Sequence, residues 1–179
     1  RSDCPSGTER MYKGYAASGH YTHSGTGSNT VCLTDKPSVD PATSDKNQNG
    51  NLLHGTRYYT NGKGIKDKDF QNLHLKVAPC AVCTVTGAKF KKMLPGSQSC
   101  PSGWTTQYEG FLMGPHYKNN NQSSTVCVDR NPQGVSGSIP DNVNGNLWHP
   151  TETECSALPC GTNGPYRQDR EVTCSVCTR

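Results

Sequence analysis

The sequence predicts an all-β fold of two homologous, disulfide-linked β repeats, a pseudo-twofold internal duplication with long loops and little or no helix. Three observations predict it. The first is a set of landmarks that occurs twice. Cys4-Pro5-Ser6-Gly7, Tyr12-Lys13-Gly14-Tyr15, His20-Tyr21, Thr30-Val31-Cys32 and Cys80-Ala81-Val82-Cys83 run through the first half. They return in order as Cys100-Pro101-Ser102-Gly103, Tyr108-Glu109-Gly110-Phe111, His116-Tyr117, Thr125-Val126-Cys127 and Cys174-Ser175-Val176-Cys177. The offset is 96 at the first cysteine (100 − 4), 95 at the second (127 − 32) and 94 at the last two (174 − 80, 177 − 83). Asn49-Gly50-Asn51-Leu52-Leu53-His54 likewise recurs as Asn144-Gly145-Asn146-Leu147-Trp148-His149. Landmarks in one order with an offset that slips by only single residues mark a repeated structural unit. The second observation is composition: 31% apolar residues, with Gly 19 and Pro 12, implies a thin core and many turns. The third is the ten cysteines, since disulfides at ~2–4 kcal/mol each can hold a chain that its core holds poorly.

Taken in order, the first strand is Glu9 to Tyr15, seven residues carrying two tyrosines, after the Pro-Ser-Gly turn. Thr30 to Leu33 is a short β-branched strand following a glycine-rich loop. The long polar loop Pro37 to Gly50 has no apolar periodicity, and loops of that length are usually functional or mobile. Ile65 to Ala78 is free of Gly and Pro, and its end, Leu73-His74-Leu75-Lys76-Val77, alternates with period two and reads as a strand. Ala81 to Val85 closes the first repeat, residues 1–86, and Gly87 to Ser99 is a link. The second repeat, residues 100–179, mirrors these elements with strands Trp104 to Phe111, Thr125 to Val128 and Val172 to Val176, and with the loop Pro132 to Gly145.

Charge and apolar runs narrow the function classes. A net charge of +4 is mild, and Lys89-Phe90-Lys91-Lys92 reads as a solvated link rather than a nucleic-acid or heparin patch. No apolar run approaches the ~20 residues of a membrane span. With no initiator Met, no signal peptide and a disulfide framework that needs an oxidising compartment, the chain reads as a mature, secreted, extracellular protein.

Each half is expected to use its own four cysteines. The strands bearing the first two would meet the strand bearing the last two, giving nested bonds Cys4–Cys83 and Cys32–Cys80, then Cys100–Cys177 and Cys127–Cys174. Cys155 and Cys160, present only in the second copy, would pair locally. Any homodimer would then be non-covalent. The competing reading is zinc held by the two Cys-x-x-Cys pairs. About ninety residues separate those pairs, and each has repeat-equivalent cysteines upstream. No redox role is expected, because neither pair opens a helix. Asp35, Asp40 and Asp45 are too dispersed for a calcium site. No metal and no cofactor is expected.

Several residues match a known pattern. Tyr12-Lys13-Gly14-Tyr15, His23-Ser24-Gly25-Thr26-Gly27-Ser28-Asn29-Thr30-Val31-Cys32-Leu33 and Ala78-Pro79-Cys80-Ala81-Val82-Cys83 resemble the C-terminal domain of sponge short-chain collagens. Tyr108-Glu109-Gly110-Phe111-Leu112-Met113, Cys127-Val128-Asp129, Leu158-Pro159-Cys160, Pro165-Tyr166 and Glu171-Val172-Thr173-Cys174 extend the resemblance over nearly the whole chain. That domain is similar to the duplicated non-collagenous domain of type IV collagen, which implies two disulfide-linked β units. The chain departs from it in having no Gly-X-Y tract, and in lacking a first-half equivalent of Cys155 and Cys160. A stand-alone, secreted, duplicated unit of this size also looks like the sea-hare egg lectins, which implies binding of galactose and galacturonic acid.

The richest chemistry lies between His20 and Asn29. His20, Tyr21, His23, Ser24 and Asn29 supply donors and acceptors, while Gly25 and its neighbouring glycines allow close approach of the backbone. Sugars need that mixture together with an aromatic surface, and a uronate carboxylate suits imidazolium or exposed backbone N–H groups. The bland alternative is a glycine-rich connection whose polar groups satisfy one another. In the second copy His116, Tyr117 and Asn119 stand at corresponding places, and Asn121-Gln122-Ser123 is a glycosylation sequon that would put a glycan beside the loop. His54 and His149 read as part of a turn followed by a strand, with Arg57 a carboxylate partner in reserve. Trp104 and Trp148 read as core. No Gly-x-Ser-x-Gly, His-Glu-x-x-His or P-loop occurs, so no enzyme is expected. Two functions follow: a secreted lectin for galactose- or galacturonic-acid-type glycans, cross-linking through duplicated sites or a dimer, or a matrix assembly module that binds no sugar.

Overall fold

The computed structural model describes residues 1–25, 29–38, 40–42, 50–62, 64–138, 144–160, 162 and 164–179. Among these are nine strands and one single-turn helix. The first half contains β1 (Glu9–Ser18), β2 (Val31–Thr34), β3 (His54–Tyr58), α1 (Lys68–Gln71) and β4 (Pro79–Thr84). Then come β5 (Lys91–Pro95), β6 (Thr105–Gly114), β7 (Val126–Asp129), β8 (Asn146–Pro150) and β9 (Thr173–Thr178). They form one sheet in the order β2-β1-β3-β8-β6-β9-β5, with β4 added on β1 and β7 on β6.

The two ten-residue strands organise the sheet. β1 pairs antiparallel with β2, β3 and β4, and β6 pairs antiparallel with β7, β8 and β9. Each carries an irregularity near its start, between Arg10 and Tyr12 and between Thr106 and Tyr108. Neighbouring strands lie ~4.8 Å apart, so the two flanks of one strand would be nearly ~10 Å apart in a flat sheet. Cys32 on β2 and Cys80 on β4 flank β1, yet their Cα atoms are 5.8 Å apart. Cys127 and Cys174 flank β6 at the same 5.8 Å. The sheet therefore curls tightly about both strands. Gly14 and Gly110 sit at these curls, where a Cβ would run into the Leu33 and Val128 carbonyls. All ten cysteines are paired, in the nested pattern that the repeat predicts, with Cys155–Cys160 closing its own loop.

The halves meet at a parallel pair, with Thr56, Arg57 and Tyr58 of β3 opposite Asn146, Leu147 and Trp148 of β8. The core straddles this seam: Tyr58, Ile65, Phe70 and Leu73 pack with Met113, Val128 and Trp148. Fully buried Phe70 meets Phe111 edge-on at 5.3 Å.

Two expectations are corrected. Residues 73–77 are not a strand: Asp67 caps the Asp69 N–H, α1 turns Phe70 into the core, and the chain then turns with Leu75 at φ 59. Alternation was outweighed there by the cap and by the tie of the Leu75 N–H to the Tyr58 carbonyl. The segment 87–99 is not a bare link either. Its Lys91–Pro95 stretch is β5, hydrogen-bonded along β9, although both of its lysines remain exposed. Trp148 is core as expected, whereas Trp104 is only half-buried. Parts of both long loops, including Asp45 and Asn49, lie outside the described residues.

Candidate functional site

All six histidines of the sequence fall into two clusters, one toward each end of the β3–β8 pair. The first forms where the chain leaves β1. Ser18 pairs with His54 at the start of β3, which fixes that imidazole next to the following turn. The turn closes through His23 N–H to the His20 carbonyl. Ring centroids of His20 and Tyr21 are 4.7 Å apart, His20 and His23 4.8 Å, His20 and His54 5.0 Å, and His23 and His54 5.5 Å. His20 Nε2 lies 2.9 Å from Asn144 Oδ1, and its Nδ1 accepts from the Thr22 N–H. Those contacts fit the tautomer protonated on Nε2.

The second half anchors this loop. Tyr21 N–H donates to Gly145 O, Asn121 N–H to Tyr21 O, and Asn120 Nδ2 to Thr22 O. Asn121, 2% exposed, donates from Nδ2 to Gly19 O at 2.8 Å and lies 3.5 Å from Asn146 Oδ1, whose own amide reaches Thr56. Gly145 has φ +106, and a Cβ on it would meet the Gly55 carbonyl. The sequon asparagine Asn121 thus has its Nδ2 buried and hydrogen-bonded within the seam.

Burial lowers the His54 pKa, and the neighbouring His20 and His23 lower it further. His54 Nε2 is buried without a partner among the described residues. Neutral His54 thus gives the cluster a polar edge free of charge, on a strand that cannot move independently of the sheet.

The second cluster is a column. His116 lies 4.6 Å from Tyr117 and 5.0 Å from His149, Tyr59 lies 4.6 Å from His149, and Tyr59 lies 4.8 Å from His74. His116 Nδ1 accepts from Lys118 N–H, in the same i to i+2 manner as His20. His74 Nδ1 accepts from both Thr60 and Asn61 N–H groups, and burial lowers its pKa. Tyr117, 83% exposed, carries the Lys118 ammonium 5.3 Å from its ring centre.

No protein-family model matches the chain, and no solved structure does. Among the residues singled out from sequence, His20, Tyr21 and His23 come together, as do His116 and Tyr117. Ser24, Gly25 and Asn29 are exposed further along the first loop, and Thr26–Ser28 lie outside the described residues. Asn119 is half-buried and caps its turn through its N–H to His116 O. Arg57 does not turn toward His54: the two are three apart on a strand and so face opposite ways, and its Nη1 donates to Leu75 O at 2.6 Å. His54 proved to be a member of the first cluster, and the recurring Asn-Gly-Asn-Leu-x-His was its only signal. Tyr59 and His74 of the second cluster had no repeat signal at all. Among the described residues no group of three His, Cys, Asp or Glu could hold a metal.

Proposed function

We propose that this chain is a secreted carbohydrate-binding protein, with its principal site on the surface formed by His20, Tyr21, His23 and His54. The observation that carries the reading is the gathering of His20, Tyr21 and His23, on a loop anchored by residues of both halves, with His54 of β3, at ring separations of 4.7–5.5 Å between neighbours. Such a surface offers an aromatic wall for the C–H face of a sugar, plus nitrogen donors and acceptors in a fixed arrangement. The resemblance to sea-hare egg lectins directs the choice to galactose and galacturonic acid, and the His116–His149 column supplies a second, differently shaped site. Two sites on one chain, or a non-covalent homodimer, would cross-link glycans. Five disulfides support an extracellular setting, and no described helix is long and apolar enough to cross a membrane.

A glycan array followed by titration calorimetry tests this. Galactose or galacturonate is expected to bind, with His23→Ala weakening binding about five- to hundredfold, the scale of ~1–3 kcal/mol for a lost buried hydrogen bond. Array silence with folded protein, or unchanged affinity in His20→Ala, His23→Ala and His54→Ala, would refute the site. A second reading, an assembly module of the type IV collagen non-collagenous kind, draws on exposed Tyr15 and Leu33, which face each other in register across β1 and β2. Haemagglutination that free sugar does not inhibit would favour it.

A further inference from the structure

Between β3 and β4 the first half commits its connecting stretch to the core, through buried Phe70 and Leu73. The stretch between β8 and β9 in the second half does otherwise. Among its described residues only Thr153 is buried, yet it carries the Cys155–Cys160 bond that has no counterpart in the first half. Its polar contacts build one turn instead. Thr153 N–H donates to the Arg170 carbonyl at 3.0 Å, and its hydroxyl lies within donating reach of the Arg167 and Arg170 carbonyls. Asp169 N–H returns to the Thr153 carbonyl at 3.0 Å, with Asp169 at φ 57, a conformation that Asp tolerates better than most residues. Beside the turn, Tyr166 N–H donates to the Pro159 carbonyl of the disulfide loop.

The turn and the start of β9 border a cleft of about 310 Å³, to which Tyr166, Arg167, Arg170, Glu171 and Thr173 contribute. That is the small end of the ~300–1,000 Å³ range of ligand pockets, room for one ring with its substituents. Neither the Arg167 nor the Arg170 guanidinium has a hydrogen bond or ion pair among the described residues. The acids nearby are turned to other partners. Glu154 and Asp169 both accept from Gln168 Nε2, while Gln168 Oε1 takes the Cys155 N–H. Glu171 lies against Gly64 of the first half, where a Cβ would run into its carboxylate, and beyond salt-bridge distance of either guanidinium. The described lining thus carries two cationic side chains and one anionic one, a net charge of +1 (2 − 1).

A carboxylate has two oxygens, which a single guanidinium fork already fills. Two unpartnered forks lining one cleft call for an anion with three free oxygens, a sulfate ester or a phosphate monoester. The phosphate carries about −1.5 to −2 at neutral pH and would overfill a +1 cleft, whereas a singly charged sulfate ester balances it. Tyr166, 37% exposed, offers a ring face to the C–H side of a sugar, and the largely polar lining suits a hydroxylated ring over an aromatic one. We infer that this cleft binds a sulfated sugar residue, with Arg167 and Arg170 holding the oxygens of the ester. It is a separate surface from the histidine clusters and does not depend on what they bind.

The probe is glucose 6-sulfate, titrated into the intact, disulfide-bonded chain and followed by nitrogen-correlated NMR of arginine Nε–H groups, histidine rings and backbone amides. Saturable shifts are expected at Tyr166, Arg167 and Arg170, and none at His20, His23 or His54. Glucose 6-phosphate and glucuronate are expected to bind at least about threefold more weakly, and glucose not measurably. Arg167→Gln and Arg170→Gln should each weaken binding about three- to tenfold, the scale of a charge-assisted hydrogen bond at a partly exposed site, with Tm unchanged. Arg170→Lys keeps the charge but loses the fork, so it too is expected to weaken binding several-fold, which charge attraction alone would not produce. Shifts confined to Lys89, Lys91 and Lys92 or to the histidine loops would overturn the inference. So would equal binding of phosphate or glucuronate, tighter binding of tyrosine O-sulfate than of the sugar, undiminished binding by the arginine variants, or no saturable shift.

Discussion

Replacing Asn121 by alanine separates a structural amide from a glycosylation site. The side chain is 2% exposed and its Nδ2 donates to the Gly19 carbonyl while lying beside Asn146 Oδ1. Truncation leaves the Gly19 carbonyl without this donor, at about 1–3 kcal/mol for a buried unsatisfied group, and opens a small void as well. A total near ~2–3 kcal/mol is expected, which in a chain of this size lowers Tm by roughly 4–12 °C. The matched control is Ser123→Ala. It destroys the same Asn-Gln-Ser sequon, but removes a hydroxyl that is itself buried and unpartnered among the described residues, so stability is expected to hold or rise slightly. Differential scanning calorimetry with disulfides intact reads both variants, and intact-mass spectrometry reads glycan occupancy. Equal Tm values for the two variants, or a glycan on Asn121 of natively folded protein, would show that the amide does not close the seam in the way described.

Other expectations follow from the same geometry. Phe70→Ala removes a fully buried ring packed on Phe111 and is expected to cost about 3–5 kcal/mol by chemical denaturation. Gly110→Ala drives a methyl group into the Val128 carbonyl at the curl of β6, and is expected to abolish accumulation of folded protein, measured as soluble yield. Removing Cys155–Cys160, a bond spanning only 5 residues, is expected to cost roughly 2 kcal/mol, against roughly 4–5 kcal/mol for Cys4–Cys83 with its separation of 79, as denaturant midpoints would show. The lowered pKa values of His54 and His74 mean that the unfolded chain binds their protons more readily. Stability is therefore full above the ordinary histidine pKa of ~6.5 and declines as pH falls through it toward the folded values, a slope that His54→Gln and His74→Gln together should flatten in Tm profiles. Uronate binding is expected to strengthen from pH ~7.5 to ~5.5 and galactose binding to stay flat, with calorimetry in parallel buffers as the check; parallel profiles would exclude imidazolium from carboxylate recognition.

Much of the fold was legible because cysteine position and β-branched runs are local signals that recur. The nested disulfides could be read from the repeat, and six strands from short β-branched or aromatic runs between turn residues. The seam could not, since pairing of Thr56 with Asn146 links residues ninety apart, and nothing local in Asn-Gly-Asn-Leu announces a parallel partner. β5 was hidden by its lysines, whose side chains stay in water while their backbone joins the sheet. At the candidate site, His20 and His23 stood out because they share one loop. His54 arrives from another strand, and Arg57 failed as its companion because an odd spacing on a strand sends side chains to opposite faces. The sequon at Asn121 could not foretell the burial of its amide, because a three-residue pattern says nothing about where a side chain points.

The distribution of cross-links has a consequence for how the chain assembles. Each of the four long disulfides closes within its own half, and none bridges the halves. The β3–β8 pair and the core around Tyr58 and Trp148 are held by hydrogen bonds and packing alone. Oxidation can therefore complete in two separate compartments before the middle of the sheet zips up. The second histidine cluster is complete only once the two halves meet, since Tyr59 and His74 come from one and His116 and His149 from the other. The loop of the first cluster gains its anchors from Asn121, Asn144 and Gly145 in the same step.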